Sequence, residues 1–173
     1  MYTIDGCDVL EELEDLPPPD RGAPLAQLVA NESTAILCYL VGAAVPVGVV
    51  EPRVVSPAVL GRVAVVRFER CHALLFGNPN DEAITAHPLH ARGLEPYSGF
   101  RVADSSWIRA LERSNQVHPN HASKSFEGLQ HFIVVLHDST FECVARRYQV
   151  EVRPGSVRTV AADLAGTVDD GAA

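Results

Sequence analysis

Positive charge is scarce in this chain. Its 173 residues hold 14 Lys and Arg against 22 Asp and Glu, a net charge of -8, and the longest basic run is the pair Arg146-Arg147. Neutralising phosphates takes a basic patch, so nucleic acid is not an expected partner. An anionic membrane surface is disfavoured for the same reason. Long hydrophobic runs are lacking as well. The longest, residues 35–50, is broken by Gly42, Pro46 and Gly48 and is short for a membrane helix. The opening Met1-Tyr2-Thr3-Ile4-Asp5 has no basic stretch followed by an apolar one, which is the mark of a secretory signal. The expectation is a cytoplasmic protein without a membrane partner.

Cysteine is sparse and scattered. Cys7, Cys38, Cys71 and Cys143 form no C-x-x-C pair, a spacing that excludes cysteine-based zinc modules and fits reduced, mostly buried thiols. Also missing are the nucleophile elbow G-x-S-x-G, the phosphate-binding P-loop and the dinucleotide fingerprint, which disfavours the enzyme classes that depend on them. A chain of this length buries a hydrophobic core without needing a metal or disulfides as staples.

Apolar residues at 9, 10, 13 and 16 recur among acidic ones, and this spacing predicts a short amphipathic helix over 7–16. Pro17-Pro18-Pro19 ends it and begins a connector, and residues 23–31 read as a second helix with Pro24 in its first turn. Strand signals follow at 34–41, 45–50, 53–55, 63–68 and 72–76, then a dense turn at Gly77-Asn78-Pro79-Asn80-Asp81. Asp104-Ser105-Ser106 offers N-capping side chains to a helix over 105–116, with Trp107 as a core anchor. Residues 131–137 read as a strand, 138–140 as a turn and 141–152 as its long antiparallel partner. The expected fold is therefore α+β: a mostly antiparallel sheet of about six strands, N-terminal helices and one inserted helix near 105–116. The expected organisation is a helix and connector over 1–22, one domain over 23–165 and a disordered tail over 166–173.

Histidine is what the chain concentrates. Six of its seven lie between 87 and 137, four of them in His87-Pro88-Leu89-His90 and His118-Pro119-Asn120-His121. A His at an N-cap, Pro at the first helical position and His two residues on is sterically allowed, and such a pair converges. With a third ligand from His131, His137, Asp138 or Glu142, either pair would make a zinc or iron site. The bland reading is that H-P-x-H is turn sequence, since it is far less specific than a helical H-E-x-x-H. Asn78, Asn80, Asp81 and Glu82 likewise read as a turn before they read as oxygen ligands.

The second constellation is the 131–148 hairpin. Period-two alternation puts His131, Ile133, Val135 and His137 on one face and Phe132, Val134 and Leu136 on the other. A turn of even length brings Glu142 onto the histidine face, extended by Val144, Arg146 and Tyr148. This face resembles a ligand cavity, apolar with a few polar groups, in which Glu142, His137 and His131 act as acid and base and Arg146 and Tyr148 hold a ligand. The competing reading is a solvated sheet face. Cys143 falls on the greasy face, a buried thiol.

Two functions follow. One is a small enzyme of hydrolase, isomerase or lyase type, using His/Glu acid–base or metal-assisted chemistry on a small molecule. The other is a non-catalytic ligand- or protein-binding module with incidental histidines. The apolar stretch 43–50 is a candidate surface for a homo-oligomer.

Overall fold

The computed structural model describes residues 2–23, 25–42 and 60–168. Its strands are β1 (Val9–Glu12), β2 (Gln27–Ala30), β3 (Thr34–Leu40), β4 (Gly61–Glu69), β5 (Ala73–Gly77), β6 (Gly99–Ala103), β7 (Gln130–Val135), β8 (Thr140–Ala145) and β9 (Arg147–Gly155); its helices are α1 (Ser106–Asn115) and α2 (Val157–Val168). All ladders are antiparallel and form two sheets, in the orders β1-β6-β7-β8-β5 and β2-β3-β4-β9.

The sheets pack face to face. Leu37, Tyr39, Val66 and Phe68 of the second meet Phe132, Val134, Phe141 and Cys143 of the first in one buried cluster, and Phe68 tilts against Phe132 and Phe141 at ring distances of 5.6 and 5.1 Å. Alternation along each strand explains this, because every second residue is apolar toward the partner sheet. The opposite face of the second sheet is covered by α2. Its Val157, Val160, Ala161 and Leu164 sit on Ile36, Cys38, Val63 and Val65, each such buried Val, Leu or Ile side chain being worth roughly 1.5–3 kcal/mol. Ser156 caps this helix by accepting from the Thr159 backbone N–H at 3.1 Å.

This architecture corrects the expected fold. Among the described residues no helix forms in 7–16 or 23–31; the first stretch contains edge strand β1 and the second edge strand β2. In the first, Leu10 packs on the outer face of β6 and β7, while Leu13 and Leu16 turn into the inter-sheet core. The helical spacing was a coincidence of residues serving two different layers. In the second, the Asn31 side chain accepts from the backbone N–H groups of Ser33 and Thr34, at 2.9 Å each. That turn folds β2 back on β3, and nine residues of helix cannot compete with a paired ladder. Two sheets replace one because 141–152 is not a single strand: the chain changes sheets at Arg146, whose N–H donates to the Glu69 carbonyl at 2.9 Å.

Helix α1 forms where the capping residues lead it, with Ser105 accepting from the Ile108 N–H. Helix α2 runs through Val168, whose carbonyl accepts from the Asn31 amide at 2.6 Å, so residues 166–168 are helical. The anticipated strands at 45–50 and 53–55, the 43–50 surface and the tail beyond 168 lie outside the described residues. Among the described residues no helix is long and apolar enough to cross a membrane.

Candidate functional site

The outer face of the first sheet carries two apolar clusters. One packs Ile84, Leu89 and Leu94 on Phe100, Ile133 and Val135; the other packs Trp107 on Leu129 and Val144. Between them lies a polar centre. The β7–β8 register pairs Ile133 with Glu142 and His131 with Val144, and a loop of four residues, 136–139, keeps His131 and Glu142 on one face.

Glu142 accepts three hydrogen bonds. Its Oε1 takes one from His87 Nε2 at 3.1 Å, and its Oε2 takes one from His131 Nε2 at 3.1 Å and one from the Tyr2 hydroxyl at 2.8 Å. The side chains of His87 and His131 are fully shielded from solvent, and that of Glu142 is 4 % exposed. Burial alone pushes the carboxyl up; the hydrogen bonds from His131 and then His87 lead the effects that outweigh it and hold it at about 2. Burial, then the neighbouring Glu142 charge, pushes the Tyr2 phenol well above its ordinary range. Tyr2 therefore stays a donor.

The proton positions follow from the partners. The Leu89 N–H donates to His87 Nδ1 at 3.1 Å, so His87 carries its proton on Nε2 and is a neutral ring aimed at Glu142. His131 presents Nε2–H to the carboxylate, which leaves the lone pair of Nδ1 facing Ser105 Oγ at 2.9 Å. Ser105 donates its hydroxyl proton to that lone pair while its oxygen accepts from the Ile108 N–H at 3.3 Å. A serine, a histidine and a carboxylate thus lie in hydrogen-bonded sequence, with the base oriented by the acid.

Local structure explains where this serine stands. Strand β6 ends at Ala103, Asp104 takes a left-handed conformation with φ of 50°, and α1 begins at Ser106. Ser105 sits at a sharp strand-to-helix turn, the setting that presents nucleophilic hydroxyls in other folds. It also lines an open groove of about 540 Å³, together with Arg101, Asp104, Ile108, Arg109 and Gln130. The Arg101 guanidinium pairs with Glu11 and that of Arg109 with Asp5.

The other predicted residues separate. His137 belongs to the loop after β7, where its Nδ1 lies 3.0 Å from Asp81 Oδ2 and Tyr97 stacks on its ring at 6.4 Å. The Tyr97 hydroxyl donates to the same Asp81 oxygen, so this half-exposed trio forms a second acid–base cluster at the far end of β7. Arg146 and Tyr148 leave the site altogether, since the chain crosses to the second sheet. Tyr148 packs edge-on against Phe132 at 5.2 Å inside the sandwich and gives its hydroxyl proton to Asp15.

The H-P-x-H units do not converge. His87 turns inward with both ring nitrogens engaged, whereas His90 is exposed, its Nδ1 3.3 Å from the Leu94 carbonyl. His118 accepts from the Asn120 N–H, and His121 lies 3.2 Å from the Asn115 amide. Among the described residues no group of three or more His, Cys, Asp or Glu side chains is arranged to hold a metal ion. The zinc or iron alternative to a plain turn sequence finds no such group among the described residues.

Ser105, Tyr2 and Asp81 are the members that sequence reasoning missed or read otherwise. Ser105 was legible only as a cap; the pattern of a strand, the pair Ser105-Ser106 and a helix carried the further signal. Tyr2 had none, being 140 positions from Glu142. Comparison of the chain with protein families, with characterised proteins and with solved structures finds no match.

Proposed function

We propose that this protein is a small-molecule hydrolase of the serine type, with Ser105 as nucleophile, His131 as general base and Glu142 as the orienting carboxylate. The observation that carries the reading is the hydrogen-bonded path from Ser105 Oγ, on a 3 %-exposed residue of the groove's lining, to His131 Nδ1 at 2.9 Å and on to Glu142 at 3.1 Å. An ionised Glu142 fixes the His131 tautomer, and the tautomer makes Nδ1 a base toward the serine. Ser105 Oγ attacks the carbonyl carbon of a small ester, and its proton moves to His131 Nδ1. His131 then returns that proton to the departing alcohol; the same nitrogen next deprotonates water, which attacks the acyl carbon, and hands that proton to Ser105 Oγ as the C–O bond breaks and the acid leaves. His87 and Tyr2 act through Glu142 and are positioning residues.

Reaction with a fluorophosphonate probe, followed by peptide mass spectrometry, tests this. The expected result is one adduct on Ser105, lost in His131→Ala and absent from Ser105→Ala, with parallel loss of p-nitrophenyl acetate hydrolysis. A protein that folds normally and leaves Ser105 unlabelled in every variant overturns the reading. In that event the second reading, a binding module whose buried histidines are structural, takes over. The observation favouring it is that every buried side-chain polar atom among the described residues has a hydrogen-bond partner, so the network needs no ligand to complete it.

A further inference from the structure

The N-terminal residues 2–8 run as a strap across the centre just described. At one end Tyr2 stacks flat on Trp107, ring centroids 5.1 Å apart, and hydrogen-bonds Glu142. At the other end Asp8 is buried, 1 % exposed, with its Oδ1 accepting from the Ser106 N–H at 2.7 Å and the Ser106 hydroxyl at 3.0 Å. Between these anchors Thr3, Asp5, Gly6 and Cys7 are exposed. The middle stretch is held by Ile4, half-buried against the cluster of Ile84 and Leu89, by the Asp5 N–H donating to Asp8 Oδ2 at 3.2 Å, by the exposed pair of Asp5 with Arg109, itself a wall of the groove, and by two long contacts, 3.4 Å each, from Arg92 to the carbonyls of Asp5 and Gly6.

The position of Asp8 has a chemical meaning. In acyl transfer from a serine at a strand-to-helix turn, the developing oxyanion is received by the backbone N–H of the residue that follows the nucleophile. Here that group is the Ser106 N–H, and it is already occupied by a carboxylate oxygen of the same chain. A negative oxygen at a helix N-terminus is stabilised there, and it excludes a second one from the same donor.

We propose that residues 2–8 form an autoinhibitory strap in which Asp8 occupies the oxyanion position beside Ser105. The inference rests on the serine-hydrolase reading and adds regulation of that site. The described form is the closed one. Opening releases the Ser106 N–H for a substrate carbonyl and withdraws Tyr2 from the shielded His131–Glu142 pair. Any partner that neutralises or displaces the exposed 3–7 stretch would favour opening.

The test uses the full chain and the fluorophosphonate probe. Asp8→Ala frees the donor and is expected to raise the rate of Ser105 labelling on the order of tenfold or more. Asp5→Ala, which releases the exposed tether to Arg109 and the acceptor of the Cys7 N–H but leaves Asp8 in place, is expected to raise it in the same direction by less, and it guards against loss of folding in Asp8→Ala. His131→Ala added to either variant is expected to abolish the gain. Wild-type labelling at Ser105 that is unchanged or slowed in both folded variants overturns the strap and leaves the hydrolase reading standing. Absence of labelling in wild type and both variants defeats the hydrolase reading itself and the strap with it.

Discussion

The backbone N–H of Leu89 donates to His87 Nδ1 across a separation of two residues, at 3.1 Å. That contact decides the protonation of a ring buried against Glu142. A neutral His87 donating through Nε2 should be replaceable by a neutral amide of similar reach. His87→Gln is expected to keep most of the stability, whereas His87→Leu leaves Glu142 Oε1 without its donor and costs about 1–3 kcal/mol. Urea unfolding of the two variants measures the difference, and equal losses would refute the tautomer.

Glu142 makes stability depend on pH in a definite sense. Its carboxyl has a folded value of about 2 against an ordinary value of 4.5, so the unfolded chain binds the proton more readily. The stabilisation is present above the unfolded value and is lost as pH falls from there through the folded one. Integrated over that shift it is on the order of 3 kcal/mol. Thermal melts between pH 5 and pH 2 should show a decline in wild type that is much flatter in Glu142→Gln. The variant would be less stable at neutral pH, because the amide cannot accept all three hydrogen bonds.

Two roles of Ser105 separate by substitution. Ser105→Ala removes both cap and nucleophile and is expected to cost about 1 kcal/mol. Ser105→Asn retains a capping acceptor and removes the nucleophile. If the hydroxyl serves only to start α1, the two variants differ in melting temperature and neither affects ester hydrolysis. The hydrolase reading requires both to be inactive.

Gly99 is a packing contact rather than a hinge. A Cβ at this position would lie 2.4 Å from Leu16 Cδ2 in the inter-sheet core. Gly99→Ala is expected to destabilise by roughly 1–3 kcal/mol through overpacking. Leu16→Ala in the same background should recover part of that loss, and a double-mutant cycle by chemical denaturation gives the coupling. Strict additivity would show that Leu16 moves aside freely.

The hairpin was the most legible part of the molecule, because strand parity is a local property. Alternation, given a turn of even length, put His131 and Glu142 together and sent Phe132 and Cys143 to the opposite face, and the four-residue loop 136–139 meets that condition. The same logic failed at Arg146 and Tyr148, since parity holds only while a strand stays in one sheet. At the N-terminus, periodicity over ten residues could not distinguish a helix from an edge strand whose leucines serve two layers. The link from Ser105 to His131 was illegible for another reason. It joins a helix cap to a strand 26 positions away, and only the packing of α1 against β7 decides it.

Glu142 also has a place in time. Of the side chains that meet at the centre, Tyr2, His87, Ser105 and His131 all precede it in the chain. During synthesis from the N-terminus, four of the five components leave the ribosome before the group that unites them. Until β8 follows, the histidines have no shared acceptor and the Tyr2 hydroxyl lacks its carboxylate partner, so the outer layer stays unlocked while the remaining strands form. A nascent chain stalled before residue 142 should therefore be protease-sensitive in its first residues.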